Sequence, residues 1–238
     1  MTGRRMFSGG MLGGGIVAAL SAWATLIGVA APMAVAQPCP EVEVVFARGT
    51  GEPPGVGRIG QAFVDAVRAQ AEPRTVGVYA VNYPAGDNFA DRIGFASTVV
   101  EGIRDAGNHV QAMAANCPNT RMILGGYSQG AIVSGFVTSA EVPAGVPGES
   151  VPQPMPPEVA DHVAAVVLFA TPSADFLSQF GAPAVTVGPL YEPKTLQLCD
   201  RGDSICSGAP GGGPNLAHVM YAMNGSVNEG AAVAVGRL

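Results

Sequence analysis

Charged side chains are scarce in this sequence, and basic ones are the scarcest. Only 13% of the 238 residues are charged, and 12 Lys and Arg stand against 18 Asp and Glu, for a formal net charge of −6. A nucleic-acid-binding protein needs a basic face to neutralise phosphates, so the balance argues against that class. The hydrophobic share of 48% argues equally against a disordered acidic chain. The composition therefore predicts one folded domain with a sizeable apolar core.

Long apolar runs are missing except at the amino terminus. Two early arginines precede an apolar stretch from Leu12 to about Ala30, and an Ala-Val-Ala sequence ends at Ala36. This order is typical of a secretory signal peptide, so we predict that residues 1–36 are removed by cleavage before Gln37. A membrane anchor is the alternative, although glycines and alanines dilute the span. Beyond the cleavage site no stretch approaches 18 apolar residues, so we expect no integral membrane span after signal removal.

Cysteine is rare, and its four copies all lie beyond the predicted cleavage site, at Cys39, Cys117, Cys199 and Cys206. An even count in an exported chain predicts two disulfide bonds, for which three pairings exist. Cys199 and Cys206 enclose a short loop that a disulfide bond can readily close, which leaves Cys39 for Cys117. A zinc site is the alternative. It lacks both C-x-x-C spacing and nearby histidines, so we expect no metal.

Short apolar runs alternate with helical patterns from residue 42 onward. Five segments have the composition of strands, the last of them only as a candidate: Val42–Phe46, Val76–Val81, Arg121–Gly125, Val163–Phe169 and Pro183–Val187. Three segments have the spacing of helices: Gln61–Gln70, Ile93–Ala115 and Ala131–Ser139. Strands that are apolar on both faces and separated by helices are typical of a buried parallel sheet. We therefore predict an α/β fold, a three-layer α/β/α sandwich with a central, mostly parallel sheet, formed by residues 37–238 as a single domain.

A G-x-S-x-G motif lies at residues 126–130, directly between a predicted strand and a predicted helix. In this context the motif predicts a sharp strand-to-helix turn that lifts the Ser128 hydroxyl to the carboxyl end of the sheet. The amino terminus of the following helix would then point toward a developing oxyanion. A glycine-rich turn with an incidental serine is the alternative.

Histidine is scarce too, with three copies in the chain. A serine hydroxyl needs a base to remove its proton, and His218 follows a glycine-rich loop late in the chain, where this topology places its base. We expect His109 to be an exposed helix residue and His162 to begin a strand at the opposite edge of the sheet.

The base in turn needs a carboxylate, which in α/β-hydrolases lies between the serine and the histidine along the chain. Asp203 is favoured because a Cys199–Cys206 disulfide would hold its loop. Asp200 lies in the same loop, and Asp175 is a third candidate. Spacing by itself leaves all three open.

Several motifs occur together in a fixed order: Cys39, Ala47–Thr50, Tyr127–Ala131, Cys199–Cys206 and Ala217–His218. This combination closely resembles the cutinase family, and secreted actinobacterial members in particular, from about Cys39 to the carboxyl terminus. The resemblance implies that Ser128 is the nucleophile, Asp203 the acid and His218 the general base. It also implies an oxyanion hole formed by Thr50 and the backbone amide of Gln129. The family pairs its first cysteine with its second and its third with its fourth.

The function implied by the resemblance is that of a secreted serine esterase, with possible association with the cell wall. It would hydrolyse carboxylic esters, of short to medium acyl chain or of cutin-like polyesters, through an acyl-enzyme and without a metal or organic cofactor. We expect an ester or lipid substrate, no nucleic-acid partner and a monomer. A lipase, phospholipase or acyltransferase acting on envelope or host lipids is the nearest alternative, and a non-catalytic secreted binding protein is another.

Two segments depart from the family pattern. The proline-rich segment, residues 143–157, is long and follows the helix that leaves the serine turn. It is therefore expected at the amino-terminal edge of the sheet, away from Ser128, as a wall contact or an insertion rather than a lid. The segment Ser207–Pro214 is poor in large apolar side chains, which argues against a preference for long acyl chains.

Overall fold

A computed structural model describes residues 38–209 and 212–238, so the predicted signal peptide lies outside the described residues. Five strands occur among these residues: β1 Val42–Ala47, β2 Val76–Ala80, β3 Arg121–Tyr127, β4 Val163–Phe169 and β5 Thr195–Leu198. The α-helices are α1 Gly57–Ala71, α2 Arg92–Asn116, α3 Gln129–Val137, α4 Ala174–Ser178, α5 Ser204–Ser207, α6 Leu216–Val219 and α7 Ser226–Val235. Short 3-10 turns occur at Gly148–Ser150, Pro157–His162 and Glu192–Lys194. Within the described ranges, no helix has both the length and the apolarity needed to cross a bilayer.

The five strands form one parallel sheet in the order β2-β1-β3-β4-β5. Strands β1 and β4 are buried along their whole length, because their runs of Val, Ala and Phe are apolar on both faces. This confirms the predicted α/β fold. The chain moves from β1 to β2 on one side and to β3 on the other, so the strand order reverses between β1 and β3. In parallel sheets, ligands bind beyond the carboxyl ends of the strands at such a point.

Helices cover both faces of the sheet. On one face α2 and α3 pack over an apolar layer that includes Val45, Leu124 and Val166. On the other face α1 and α7 pack over a layer that includes Val44 and Ile123. The two sets alternate along each strand because successive side chains point to opposite faces. The result is an apolar layer on each side of the sheet, which holds the carboxyl ends of β1 and β3 in place.

The fifth strand lies at Thr195–Leu198, so its predicted position at Pro183–Val187 is wrong. Pro183 lacks an N–H group and cannot donate to a ladder of strand hydrogen bonds. Val185 packs instead against α3, where a Cβ added to Gly135 would meet its Cγ1 at 2.2 Å. The true β5 has only four residues and pairs with β4, so its alternation of Leu196 and Leu198 with polar residues is too short to identify a strand.

The proline-rich segment, residues 143–157, contributes no residue to the cavity around Ser128, which agrees with its expected position away from the serine. Val142, Val146 and Val151 turn back toward α2 and α3 and line an apolar cavity with them. Apolar side chains at these positions favour packing over solvent exposure. Of the two alternatives, a wall contact or an insertion, the segment therefore forms a wall.

Two disulfide bonds join Cys39 to Cys117 and Cys199 to Cys206, with Cα–Cα distances of 5.6 and 5.7 Å. The first ties the segment before β1 to the carboxyl end of α2, and the second closes the loop between β5 and α5. This is the pairing that the resemblance implied. The zinc alternative is wrong, because all four sulfurs are committed to disulfide bonds.

Candidate active site

Ser128 occupies the turn between β3 and α3 with φ 54° and ψ −115°. A positive φ is unfavourable for a residue with a side chain and persists only where the surroundings impose it. Here the Ser128 N–H donates to the carbonyl of Phe169 at 2.9 Å, and the Ser128 carbonyl accepts from the amides of Ala131 and Ile132. The turn therefore fixes the position of the hydroxyl beyond the carboxyl end of β3.

Glycines on both sides of Ser128 allow this turn to form. A Cβ on Gly126 would lie 2.1 Å from the carbonyl oxygen of Gly130, and a Cβ on Gly130 would lie 1.9 Å from that of Ala47. Both distances are far below contact, and both involve backbone atoms that cannot move aside. The motif therefore needs glycine for close backbone approach as well as for the bend.

His218 lies beside Ser128 on the short helix α6. Its Nε2 is 3.0 Å from Ser128 Oγ, and its Nδ1 is 3.0 and 2.9 Å from the two carboxylate oxygens of Asp203. The His218 backbone is held at both ends: its N–H donates to Asn215 Oδ1, and its carbonyl accepts from the Tyr127 hydroxyl at 2.7 Å. The structure therefore brings Ser128, His218 and Asp203 into one hydrogen-bonded chain.

Asp203 caps the amino terminus of α5 and is fully buried. Its carboxylate accepts hydrogen bonds from the Ile205 amide, from His218 and from the Tyr221 hydroxyl at 2.8 Å. Burial opposes ionisation, but the hydrogen bonds from His218 and Tyr221 outweigh it and hold the pKa of Asp203 below its usual value. Asp203 is therefore a charged group that can orient an imidazole and stabilise its protonated form.

Tyr221 was not predicted from the sequence. Its side chain is fully buried. Its hydroxyl accepts a hydrogen bond from the Asp200 amide at 2.8 Å and donates one to the Asp203 carboxylate. Burial, reinforced by the nearby carboxylates, raises the pKa of Tyr221, so it remains a neutral donor. The available signal was its position three residues after His218, which carries no chemistry without the fold.

The other candidate acids lie elsewhere. Asp200 accepts from the Asn224 side chain at 2.6 Å and from the Arg201 amide at 2.9 Å, and neither it nor Asp175 contacts His218. His162 ends the 3-10 turn before β4, at the opposite edge of the sheet from Ser128.

His109 is not the exposed residue expected from its place on a helix. Its Nε2 is 2.8 Å from the carboxylate of Glu43, and its ring stacks on Tyr79 with centroids 3.5 Å apart. Glu43 is a buried acid on β1 and draws the histidine inward as its partner. This pair joins α2 to β1 and contacts none of the residues around Ser128.

The loop after β1 carries Thr50 to the same cleft as Ser128 and Gln129. Gln129 is the first residue of α3, so its N–H belongs to the unpaired amino-terminal amides of that helix. Its buried side chain donates from Nε2 to the Gly86 carbonyl at 3.1 Å. The two predicted oxyanion residues therefore border one cleft with the serine.

Buried Arg48 holds the Thr50 loop from beneath. Its guanidinium donates to the carbonyls of Glu52 at 2.7 Å and Tyr83 at 2.6 Å, and the Tyr83 hydroxyl donates back to the Arg48 carbonyl. The Glu52 carboxylate accepts from the amide of Gly49 at 2.7 Å. This network joins the loops after β1 and β2 into one rigid unit.

The cleft above Ser128 is an open, largely apolar cavity of about 420 Å³. Phe89, Phe95, Phe176 and Phe180 line one side, and the segment from Gly212 to Pro214 borders it as well. Such a surface suits a hydrocarbon group beside a polar reacting centre. Among the described residues, no group of three or more His, Cys, Asp or Glu is arranged to hold a metal ion.

Comparison with known proteins places this geometry in a family. The Cutinase family model matches residues 38–238. The chain belongs to the cutinase family. This cutinase-family chain is 59% identical over 170 residues to "Probable carboxylesterase Culp7" of Mycobacterium tuberculosis, an alignment that covers 71% of this chain and 89% of the relative.

Two further comparisons agree with the family assignment. Identity to "Phospholipase Culp4" of the same organism is 44% over 225 residues, covering 94% of this chain and 90% of the relative. The solved structure of Trichoderma reesei cutinase in complex with a C11Y4 phosphonate inhibitor superposes with a TM-score of 0.60 at 31% identity, covering 84% of this chain and 77% of the other. The predicted resemblance to cutinases is confirmed.

Proposed function

We propose that this cutinase-family carboxylic ester hydrolase is a secreted serine esterase that acts through Ser128, His218 and Asp203. The observation that carries the proposal is the unbroken hydrogen-bond chain from Ser128 Oγ through both ring nitrogens of His218 to the buried Asp203 carboxylate. A carboxylate only accepts, so His218 Nδ1 carries its proton toward Asp203 and leaves Nε2 free to accept from the serine.

In the proposed reaction Ser128 Oγ attacks the ester carbonyl while His218 Nε2 takes the hydroxyl proton. Asp203 holds the tautomer and stabilises the imidazolium. His218 then returns the proton to the departing alcohol, which leaves an acyl-enzyme. Water activated by the same histidine attacks the acyl-enzyme, and the carboxylic acid product leaves.

The developing oxyanion would be bound by the Gln129 amide and by Thr50. The amino terminus of α3 adds the positive end of its dipole. Each such donor contributes about 3 kcal/mol to lowering the barrier. The Arg48 network supports this part of the proposal, because it holds the Thr50 loop in place before substrate arrives.

Export is part of the proposal. Two disulfide bonds within residues 38–238 suit an oxidising compartment, and the amino-terminal sequence has the order of a signal peptide. Sequencing the amino terminus of protein recovered from the culture medium should find Gln37 first. Size-exclusion chromatography with light scattering should find a monomer.

The decisive experiment is hydrolysis of p-nitrophenyl esters by residues 37–238, compared with Ser128→Ala. We expect the variant to lose at least roughly a thousandfold in kcat/KM, with the remainder due to the oxyanion hole and binding. Ser97→Ala, at an exposed serine of α2, is the matched control and should retain activity. An alkyl phosphonate should label Ser128 and no other residue.

An equal rate for Ser128→Ala would remove Ser128 from the mechanism, and no hydrolysis by the wild type would favour a binding protein. The alternative substrate class is a phospholipid, which the similarity to a relative named phospholipase supports. Hydrolysis of dispersed phosphatidylcholine in preference to soluble esters would establish it.

A further inference from the structure

A second cavity, of about 160 Å³, lies beneath the proline-rich segment and is separate from the cleft above Ser128. One face of α2 lines it, together with part of α3, eight of the residues from Ser139 to Pro154, and Leu177, Ala182 and Pro183. Apart from Ser139 and Glu141, every residue that lines it is apolar. A cavity of this kind offers few polar partners for ordered water, so it favours a hydrocarbon occupant.

The two cavities share a wall. Phe95, Ile132, Leu177 and Ala182 line both the apolar cavity and the cleft that contains Ser128 and His218. Ile132 is one helical turn beyond the serine, and its amide donates to the Ser128 carbonyl. Ala182 has the smallest side chain of these four residues, a single methyl group. The apolar cavity therefore begins one turn of helix away from the proposed nucleophile.

The cavity leads away from Ser128 along two helices. Phe95, Val99 and Ile103 follow one another at single-turn spacing on α2, and Ile132 and Phe136 do the same on α3. At 1.5 Å of rise per residue, the α2 face from Phe95 to Ile103 extends for about 12 Å. This is an elongated apolar surface, suited to an extended chain.

Prolines suit the segment that closes the cavity. Pro143, Pro152 and Pro154 line it and have no N–H group to leave unpaired against an apolar interior. Val146 and Val151 supply side chains between them. The prolines and valines of this segment therefore form an apolar cover, or roof, over the cavity.

We propose that this cavity is the binding site for the distal part of a long, unbranched acyl chain, which crosses the wall at Ala182 while its ester carbonyl lies at Ser128. This inference rests on the proposed esterase function and adds its substrate class. It also reverses the expectation drawn from the Ser207–Pro214 segment, because the apolar surface that the segment lacks is supplied on the other side of the cleft.

The test compares kcat/KM for p-nitrophenyl laurate and p-nitrophenyl butyrate in variants that fill or polarise the cavity. Ala96→Phe adds a ring from the α2 side, and Val146→Asp adds a carboxylate from the roof. Each should lower the laurate-to-butyrate ratio by at least about tenfold, as expected when an apolar pocket loses its fit for a chain. Two sites, on opposite walls, keep the test valid if one variant fails to fold.

The matched controls are Ala112→Phe, exposed on α2, and Ala144→Asp, exposed in the proline-rich segment; neither residue lines the cavity. Both should keep the wild-type ratio. Unchanged ratios in Ala96→Phe and Val146→Asp, or a wild type that hydrolyses butyrate and not laurate, would overturn the inference while leaving the esterase intact. Hydrolysis of neither ester would overturn the proposed function, and the inference with it.

Discussion

At the scale of single residues, each proposed catalytic side chain is positioned by hydrogen bonds to particular neighbours. His218 is held by Asn215, Tyr127 and Asp203, and Asp203 is held in turn by Tyr221. Asn215 and Tyr127 hold the His218 backbone, whereas the bonds to Asp203 orient the His218 and Asp203 side chains. At this scale the chemistry depends on hydrogen bonds between residues that the sequence separates by up to 91 positions.

Removal of the Tyr221 hydroxyl should slow the reaction without weakening substrate binding. In Tyr221→Phe the Asp203 carboxylate loses a donor and the Asp200 amide loses an acceptor, so we expect kcat to fall about tenfold, equivalent to about 1.4 kcal/mol, with little change in KM. Loss of this donor should also raise the pKa of Asp203, because the anion is less stabilised. The acid limb of the pH–rate profile should therefore move to higher pH.

A matched control exists for this change. The buried Tyr191 hydroxyl has no hydrogen-bond partner among the described residues, so Tyr191→Phe removes the same atom without removing a contact. It should leave kcat and its pH profile as they are. A kcat loss of similar size in both variants would show that Tyr221 acts only through packing.

The lowered pKa of Asp203 makes a pH-dependent contribution to stability. Because its folded pKa lies below the ordinary value of 3.8, its contribution is complete above that value and is lost as pH falls through the folded pKa. Asp203→Asn cannot titrate. The difference in unfolding free energy between wild type and Asp203→Asn should therefore shrink between pH 5 and pH 2, measured by urea unfolding. A constant difference over this range would contradict the shift.

At the scale of secondary-structure elements, the site depends on the loops that follow β1, β3 and β5 at one edge of the sheet. The β3 loop is held by close backbone packing, the β5 loop by a disulfide bond, and the β1 loop by Arg48. Arg48 is buried, and its planar guanidinium reaches several carbonyl oxygens at once. Lysine has a single donor head and cannot reproduce that geometry.

Arg48→Lys should therefore destabilise the protein and impair catalysis together. We expect a loss of about 2–3 kcal/mol in the free energy of unfolding, because buried carbonyls lose their donors, and a lower kcat because the Thr50 loop is released. Chemical unfolding and esterase kinetics measure the two effects. Arg104→Lys, at an exposed position of α2, should change neither. Wild-type stability in Arg48→Lys would show that the network does not hold the loop.

At the scale of the whole molecule, the two disulfide bonds should separate stability from activity. Cys39 and Cys117 are 78 residues apart, whereas Cys199 and Cys206 are 7 apart and enclose Asp203. Chain entropy gives about 4.5 kcal/mol for the long loop and about 2.4 kcal/mol for the short one. The first bond stabilises the fold, and the second positions a single residue.

Replacing each pair by serine should show this contrast. The Cys39/Cys117 double variant should have the larger loss in thermal stability and should keep its activity at 25 °C. The Cys199/Cys206 double variant should be less destabilised and should lose at least about tenfold in kcat, because Asp203 is no longer held against His218. Equal losses of kcat in the two variants would contradict these separate roles.

Local patterns were sufficient for much of this structure. Strands β1 and β4 could be predicted because a run that is apolar on both faces has few stable environments except the middle of a covered sheet. The turn at Ser128 could be predicted because its glycines are required by close backbone contacts within and around the motif itself. Asp203 and Asp200 lie in the same disulfide-closed loop, and the resemblance to the cutinase family is what separated them.

The α/β class and the serine turn could be inferred before any fold was known, since each follows from neighbouring residues or from a motif with a steric requirement. The partners of Ser128 came from the order of motifs shared with a known family. Only the packed fold revealed the roles of Tyr221 and Arg48, the inward turn of His109, the place of β5 and the apolar cavity under the proline-rich segment. Each of these depends on which distant groups face one another, because a buried polar or apolar group takes its partner from the packing and not from its neighbours in the chain.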